Sequence, residues 1–356
     1  MKKHLLLFLS LLLCLLLVAC ERNKGIYGEV VEVTPEALIV ETDANKRIAV
    51  LLEEDTLFSS MVDGIDANEY KSAPHTDVQI WFYHNGRDGS VTATDGTKVK
   101  AYRPHILIDI EAYFSTDVAT LTDGTVLDAW IRGMFGTTYQ TKDGVELLRK
   151  PTPAGPENYS VGNLESFDDL SETAKPKVRA FYDAMGLLYD LPAELERAWS
   201  AYRDDPENFS SFLVQQDTVP SASSEKIFYF TTILTTTVHG NVVQESYLCN
   251  AFDRETGEHI PISENFTCSE EELITQFLDL AEKAGSGPAD PMLKEEMTTA
   301  FQMEYLTIQQ DGLQLAFPQG TLPSQDANYH VTLAFNDGCQ ALLQPWALPI
   351  PVSDDF

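Results

Sequence analysis

A long run of aromatic and β-branched residues, KIFYFTTILTTTV at 226–238, marks the centre of the chain. Such residues favour a pleated, buried strand over a helix. The sequence His239-Gly240-Asn241 is a turn signal, and VVQESYLCNAFD after it is typical of the returning antiparallel strand. A polar turn at 253–258 then precedes a third short strand at 259–262. No other segment has strands this long, so we expect residues 226–262 to form the centre of the main sheet.

Five shorter segments near the N-terminus alternate strand-forming residues with turn-rich pieces. They are residues 28–33, 37–42, 46–53, 77–84 and 105–114. Five short strands at this spacing predict an OB-like small β-barrel over residues 28–114. The segment carries more acids than bases and no basic-aromatic stripe, so we expect no binding of nucleic acid here.

Two Asp-Gly turn signals follow, at 121–125 and 141–145. We predict a connecting segment over 115–137 and a second domain over 138–346 that includes the second hairpin. A C-terminal tail would occupy 347–356.

Four segments of the second domain have helical apolar spacing and start signals. The predicted capping residues are Ser171, Asp190, Ser269 and Asp290. The third is the best marked, because Ser269 and Glu272 form a capping box and Gly285 stops the helix. We expect the first two helices to pack on the sheet of 226–262. Strands at 305–310, 313–317 and 329–335 complete an α+β domain.

The first twenty residues have the layout of a secretory signal. Lys2 and Lys3 precede a short apolar run at 5–18, which ends in Leu17-Val18-Ala19-Cys20. This ending resembles the lipobox of bacterial lipoproteins, with Cys20 as the lipidated thiol. The alternative, an uncleaved membrane helix, leaves Ala19-Cys20 unexplained. We therefore expect a signal peptide at 1–19, an anchor linker at 20–27, and an extracytoplasmic protein that the lipid alone anchors to the cell membrane.

The formal charge is −31, and removal of Lys2 and Lys3 with the signal leaves −33. Such a surface repels nucleic acid and an anionic envelope. Solubility explains the charge, and recruitment of a cationic partner is the alternative.

Candidate chemistry is sparse. Ser223-Ser224-Glu225-Lys226 fits the Ser-x-x-Lys pattern of penicillin-binding enzymes but runs into a strand, whereas that chemistry needs a helix start. His239 has no nucleophile or carboxylate placed beside it by any motif, so we interpret it as a turn residue. The sequence predicts no catalytic residues and no cofactor.

Metal binding and disulfides have equally little support. The loop 63–69 clusters oxygen ligands that suit calcium, but it lacks EF-hand spacing, and we predict no metal site. Beyond Cys14 and Cys20, the chain has Cys249, Cys268 and Cys339, whose spacing matches no zinc pattern. Cys249 lies mid-strand, where a thiol usually packs in the core.

Several short motifs in order resemble the extracytoplasmic domain of RsiV-like anti-sigma proteins, which also occurs in some peptidoglycan deacetylases. The motifs lie at 141–148, 238–240, 250–253, 256–258, 306–308 and 311–317. The family's Gly-Gly-Ala-His signature is reduced here to Thr-Val-His-Gly, and its proline-tyrosine segment reads Leu322-Pro323-Ser324.

The resemblance implies an α+β domain that binds a protein such as lysozyme, or a wall component, outside the cell. It identifies no binding residues. With Cys20 lipidated, direct anti-sigma activity is excluded. Three interpretations remain: a non-catalytic binding or sensing lipoprotein, a trap for cationic proteins such as lysozyme, and an envelope enzyme, which the motifs do not support.

Overall fold

The computed structural model describes residues 25–42, 44–62 and 65–350. These residues form a mixed α+β structure, mostly sheet with six helices, which confirms the predicted α+β class. Among them, no helix has both the length and the apolar character needed to span a bilayer. The chain divides into two compact units, residues 1–146 and 147–356.

The first unit contains eight strands and one short helix among its described residues. They are β1 (Gly25–Val33), β2 (Ala37–Thr42), β3 (Lys46–Leu51), β4 (Leu57–Ser60), α1 (Ala67–Ser72), β5 (Val78–Thr92), β6 (Lys98–Thr120), β7 (Val126–Arg132) and β8 (Gly136–Thr141). Five strands pair in a circuit, β1-β2-β3-β6-β5, which returns to β1. All five pairings are antiparallel except β3 with β6.

Apolar side chains from these strands form the core of the first unit. They include Val30, Leu38, Val40, Val50, Ile80, Phe82, Ile108 and Ile110, each nearly or fully buried. The five segments predicted as strands all contribute. The stretch 115–137, predicted as a connecting segment, consists largely of the end of β6 and of β7.

The second unit has two sheets and five helices among its described residues. The first sheet has β9 (Glu146–Lys150), β10 (Phe212–Ser223), β11 (Ile227–Val238), β12 (Asn241–Asp253) and β13 (His259–Ile260), and the second has β14 (Leu306–Gln309), β15 (Gly312–Phe317) and β16 (Tyr329–Ala334). The helices are α2 (Ala174–Met185), α3 (Leu191–Asp204), α4 (Glu270–Ala284), α5 (Pro291–Ala300) and α6 (Asp337–Gln340).

The predicted hairpin is confirmed, but the expectation that no other segment has strands this long is wrong, because β5 has 15 residues and β6 has 23. Strands β11 and β12 pair antiparallel from Ile227↔Asp253 to Val238↔Asn241. His239 and Gly240 connect them with φ of 52° and 74°, as a two-residue hairpin turn with two left-handed residues requires. The turn role predicted for His239 is therefore confirmed.

The first half of strand β11, residues 227–232, is buried on both faces. Phe228 and Phe230 lie on one face and pack with Val178 and Tyr182 of α2. Tyr229, on the other face, belongs to the large cluster that includes α4 and the second sheet. Its hydroxyl donates to the carbonyl of Ala347 at 2.7 Å, which satisfies the polar end of a fully buried ring.

The predicted caps of α3, α4 and α5 are confirmed, whereas α2 has Thr173 at its N-cap position, two residues after Ser171. Ser269 and Glu272 form the capping box of α4, and Gly285 ends it with φ 76°. Asp190 and Asp290 cap α3 and α5, and the Ser171 hydroxyl accepts from the Ala174 N–H at 3.0 Å at the start of α2. The predicted packing of α2 on the hairpin is confirmed.

Gly257 allows a close approach between the turn after β12 and the start of α2. It has φ 69°, and a Cβ there would lie 2.6 Å from the backbone oxygen of Ala174. Gly240 has a similar φ but open space around it. The two glycines therefore form a matched pair in which crowding alone differs.

We expect Gly240→Ala to lower the free energy of unfolding by about 1 kcal/mol, because alanine is disfavoured in the left-handed backbone conformation. Gly257→Ala should lower it by about 2–5 kcal/mol, because overpacking adds to that penalty. Denaturant unfolding of both variants measures the difference. Equal losses would contradict the close approach at Gly257.

Candidate functional site

The residues singled out by sequence do not come together in a site. Cys20 lies outside the described residues. Ser224 lies in the turn between β10 and β11, where its hydroxyl donates to the carbonyl of Trp346 at 2.8 Å and accepts from the Ile227 N–H at 2.9 Å. His239 is exposed at the tip of the β11–β12 hairpin. The Ser-x-x-Lys pattern is thus a structural turn, as predicted.

The loop considered for calcium lies only partly within the described residues, since Asp63 and Gly64 fall outside them. Asp66 caps α1, with one carboxylate oxygen accepting from the N–H groups of Asn68 and Glu69 at 2.8 Å. Within residues 25–42, 44–62 and 65–350, no group of three or more His, Cys, Asp or Glu side chains is placed to hold a metal ion.

The three cysteines of the second unit are free thiols. Cys249 and Cys339 are buried, and burial raises the pKa of each thiol to about 11. A buried thiol that stays protonated is a poor nucleophile. Cys249 therefore packs in the core, as its sequence context predicts.

A cavity of about 290 Å³ lies on the α2 side of the first sheet in the second unit. We call it the first cavity. It is lined by residues of the segment 153–158, of α2, of the loop after α2 and of β10, among them Glu157, Arg179, Tyr182, Asp183, Leu187 and Gln216.

Hydrogen bonds fix the polar groups around this cavity. The Gln216 side chain donates to the Gly186 carbonyl at 2.9 Å and accepts from the Leu188 N–H at 2.8 Å. Arg179 pairs with Glu157 at 3.2 Å, and its guanidinium lies 5.3 Å from the ring centroid of Phe167. The two hydrogen bonds restrain the amide of Gln216, and the contacts of Arg179 orient its half-exposed guanidinium toward Glu157.

The electrostatics of the first cavity are mildly acidic. Arg179 and Glu157 neutralise each other, which leaves the exposed carboxylate of Asp183. Burial raises the pKa of the Tyr182 hydroxyl well above its usual value, so the ring stays neutral. Fixed amide, guanidinium and carboxylate groups beside Leu187 and Met185 suit binding of a small polar ligand.

Sequence reasoning missed this cavity for a definite reason. It predicted α2 but not β10, whose buried positions include the polar residues Gln216 and Thr218. The alternation of Phe212, Val214, Gln216 and Thr218 is the signal that could have identified the strand.

The solved structures that are similar to this chain include two proteins of the DUF3298 family. One, from Pseudomonas aeruginosa PAO1, is 14% identical and covers 67% of this chain and 94% of its own, with a TM-score of 0.31. The other, from Bacteroides fragilis NCTC 9343, is 10% identical and covers 66% and 93%, with a TM-score of 0.33. Likeness at these TM-scores carries no argument about function. No family model and no curated protein matches the chain.

Proposed function

We propose that this protein is a lipid-anchored, extracytoplasmic binding or sensing protein that does not catalyse a reaction. The anchor rests on the sequence Leu17-Val18-Ala19-Cys20 after a short apolar run. The observation that carries the binding role is the first cavity, whose polar side chains are already held by the protein. Preorganised groups lower the entropy lost on binding.

Two finer structural proposals accompany this function. The closed pairing circuit β1-β2-β3-β6-β5 supports an OB-like barrel in the first unit. The RsiV-like motifs support a domain of that type in the second unit, because the sequence at 238–240 lies in the hairpin turn and that at 256–258 lies in the turn beside α2.

The proposed ligand of the first cavity is a wall component, and soluble peptidoglycan fragments are the probe. Binding to the native state raises the Tm. We expect these fragments to raise the Tm of the protein that begins at Glu21. The masses of the fragments should not change. Arg179→Gln should remove the Tm increase. Lys177→Gln, on the same helix, should retain it, because Lys177 pairs with Glu258 at 3.9 Å and does not line the cavity.

Cleaved fragments in this experiment would contradict the non-catalytic role. A Tm increase that survives Arg179→Gln would contradict the first cavity as the binding site. No Tm increase would remove wall fragments as ligands.

A second candidate function is a trap for cationic proteins such as lysozyme. The second unit carries 33 acidic and 11 basic residues, a net charge of −22 out of −31 for the chain. A charge this large raises encounter rates with basic proteins and suppresses anionic partners. The family resemblance points to lysozyme independently.

Lysozyme could bind through a shape-specific site or through charge alone, and these two modes of binding differ in their salt dependence. Exposed charges are screened beyond about 10 Å at 0.1 M salt. A shape-specific trap should bind lysozyme at low and high salt and leave cytochrome c, a folded basic control, unbound. Affinities of both proteins at two salt concentrations measure this. If lysozyme and cytochrome c bind equally and both are released at high salt, the binding is due to charge alone. If lysozyme does not bind at low salt, the trap is excluded.

The lipid anchor has a direct test. In cells that express the full chain and are grown with a fatty-acid probe, the wild-type protein should become labelled, because Cys20 becomes the acylated N-terminus. Cys20→Ala should lose the label, whereas Cys14→Ala, inside the signal, should keep it. Equal labelling of wild type and Cys20→Ala would contradict the anchor.

A further inference from the structure

A second cavity, of about 520 Å³, lies on the opposite face of β11 from the first. The strand register determines which side chains form the floor of this cavity. Thr231 lies opposite Cys249 on β12 and Val219 on β10, and the next row on this face pairs Ile233 with Tyr247. The walls are the loop that carries Val161 and Leu164 and the β14–β15 turn at 309–311.

Two buried hydroxyl groups at this cavity have no nitrogen or oxygen partner among the described residues. They belong to Thr231, which is 5% exposed, and to Ser221. Both hydroxyls interact with the sulfur of Cys249, which is a weak hydrogen-bonding group. A thiol satisfies a buried hydroxyl only weakly, so the oxygen of a ligand in this cavity would be a better partner for these two groups.

The position of Ser221 comes from a β-bulge. The β10–β11 register runs from Pro220↔Phe230 to Ala222↔Tyr229, so Ser221 is the extra residue between them. Bulges redirect a side chain and are frequent beside binding sites. Pro220 lacks an N–H, which suits a position beside a disrupted ladder.

The lining of the cavity defines the ligand class. Val161, Leu164, Val219 and Ile233 supply apolar surface, and Val161 is 40% exposed at the rim. Among the described lining residues the one charged side chain is that of Asp311, which disfavours anions. Apolar walls with a few placed polar groups are typical of small-molecule sites, and 520 Å³ accommodates one such molecule.

We propose that this second cavity binds an uncharged organic molecule with an apolar body and one hydroxyl or carbonyl group, which bonds to the hydroxyls of Thr231 and Ser221. The site is separate from the first cavity and stands independently of the function proposed above. It needs no partner protein and no metal.

Three matched probes test the ligand class: toluene, p-cresol and p-toluate, which share a methylated ring. Ligand-observed NMR titration on the chain from Glu21 to Phe356 measures each Kd. We expect p-cresol to bind about 2–10-fold more tightly than toluene, the value of one net hydrogen bond. We expect p-toluate to bind more weakly than both, because it brings a negative charge toward Asp311.

Variants locate the site. Thr231→Val keeps the side-chain shape and removes the hydroxyl, so it should abolish the advantage of p-cresol and retain toluene binding. Ile233→Trp fills the cavity and should abolish binding of both, while Leu187→Trp, at the first cavity, should change neither. Val161→Trp, at the exposed rim, replaces Ile233→Trp if that variant fails to fold.

Four outcomes would overturn the proposal. They are no binding of any probe, tightest binding of p-toluate, a p-cresol advantage that Thr231→Val leaves unchanged, and toluene binding that survives the cavity-filling variant. None of them bears on the first cavity or on lysozyme, so failure here is distinguishable from failure of the proposed function.

Discussion

The burial of β11 on both faces is the constraint on which the second unit depends. Phe228 and Phe230 are fully buried beneath α2, and Ile227 and Tyr229 are fully or almost fully buried on the other face. Each buried aromatic or aliphatic side chain of this size contributes about 1.5–3 kcal/mol of transfer free energy. A one-residue slip in register would exchange the two faces, and the aromatic rings would then meet pockets shaped for other side chains.

This register also determines where the two cavities lie. Thr218 pairs with Thr232 on the α2 side, and their hydroxyls hydrogen-bond at 2.9 Å, so Gln216 on the same face of β10 reaches the loop after α2. The odd-numbered positions point to the other face, where Thr231 and Ile233 extend beyond the packed cluster. The strand is fully buried at its Phe228–Phe230 end and mostly half-buried toward its hairpin end. Both cavities lie beside the part of the sheet where the burial of β11 decreases.

Sequence predicted the elements whose signals are local. The run at 226–238, the His239-Gly240 turn and the Ser269–Glu272 capping box all act within a few residues, and the structure contains each of them. Strand β10 escaped prediction because its buried face includes Gln216 and Thr218, whose burial depends on partners distant in sequence. The cavities escaped for the same reason, since Ser221, Thr231 and Val161 meet only through tertiary pairing.

Native-state hydrogen exchange of the second unit tests the central role of β11 most directly. Strands buried on both faces exchange only through global unfolding, whereas uncovered segments open locally at lower free energy. We expect the amides of Phe228, Tyr229 and Phe230 to exchange slowest, with free energies equal to that of global unfolding. Amides at the hairpin tip, at 237–243, should exchange orders of magnitude faster. Equal protection of the tip and of these three residues would contradict the account.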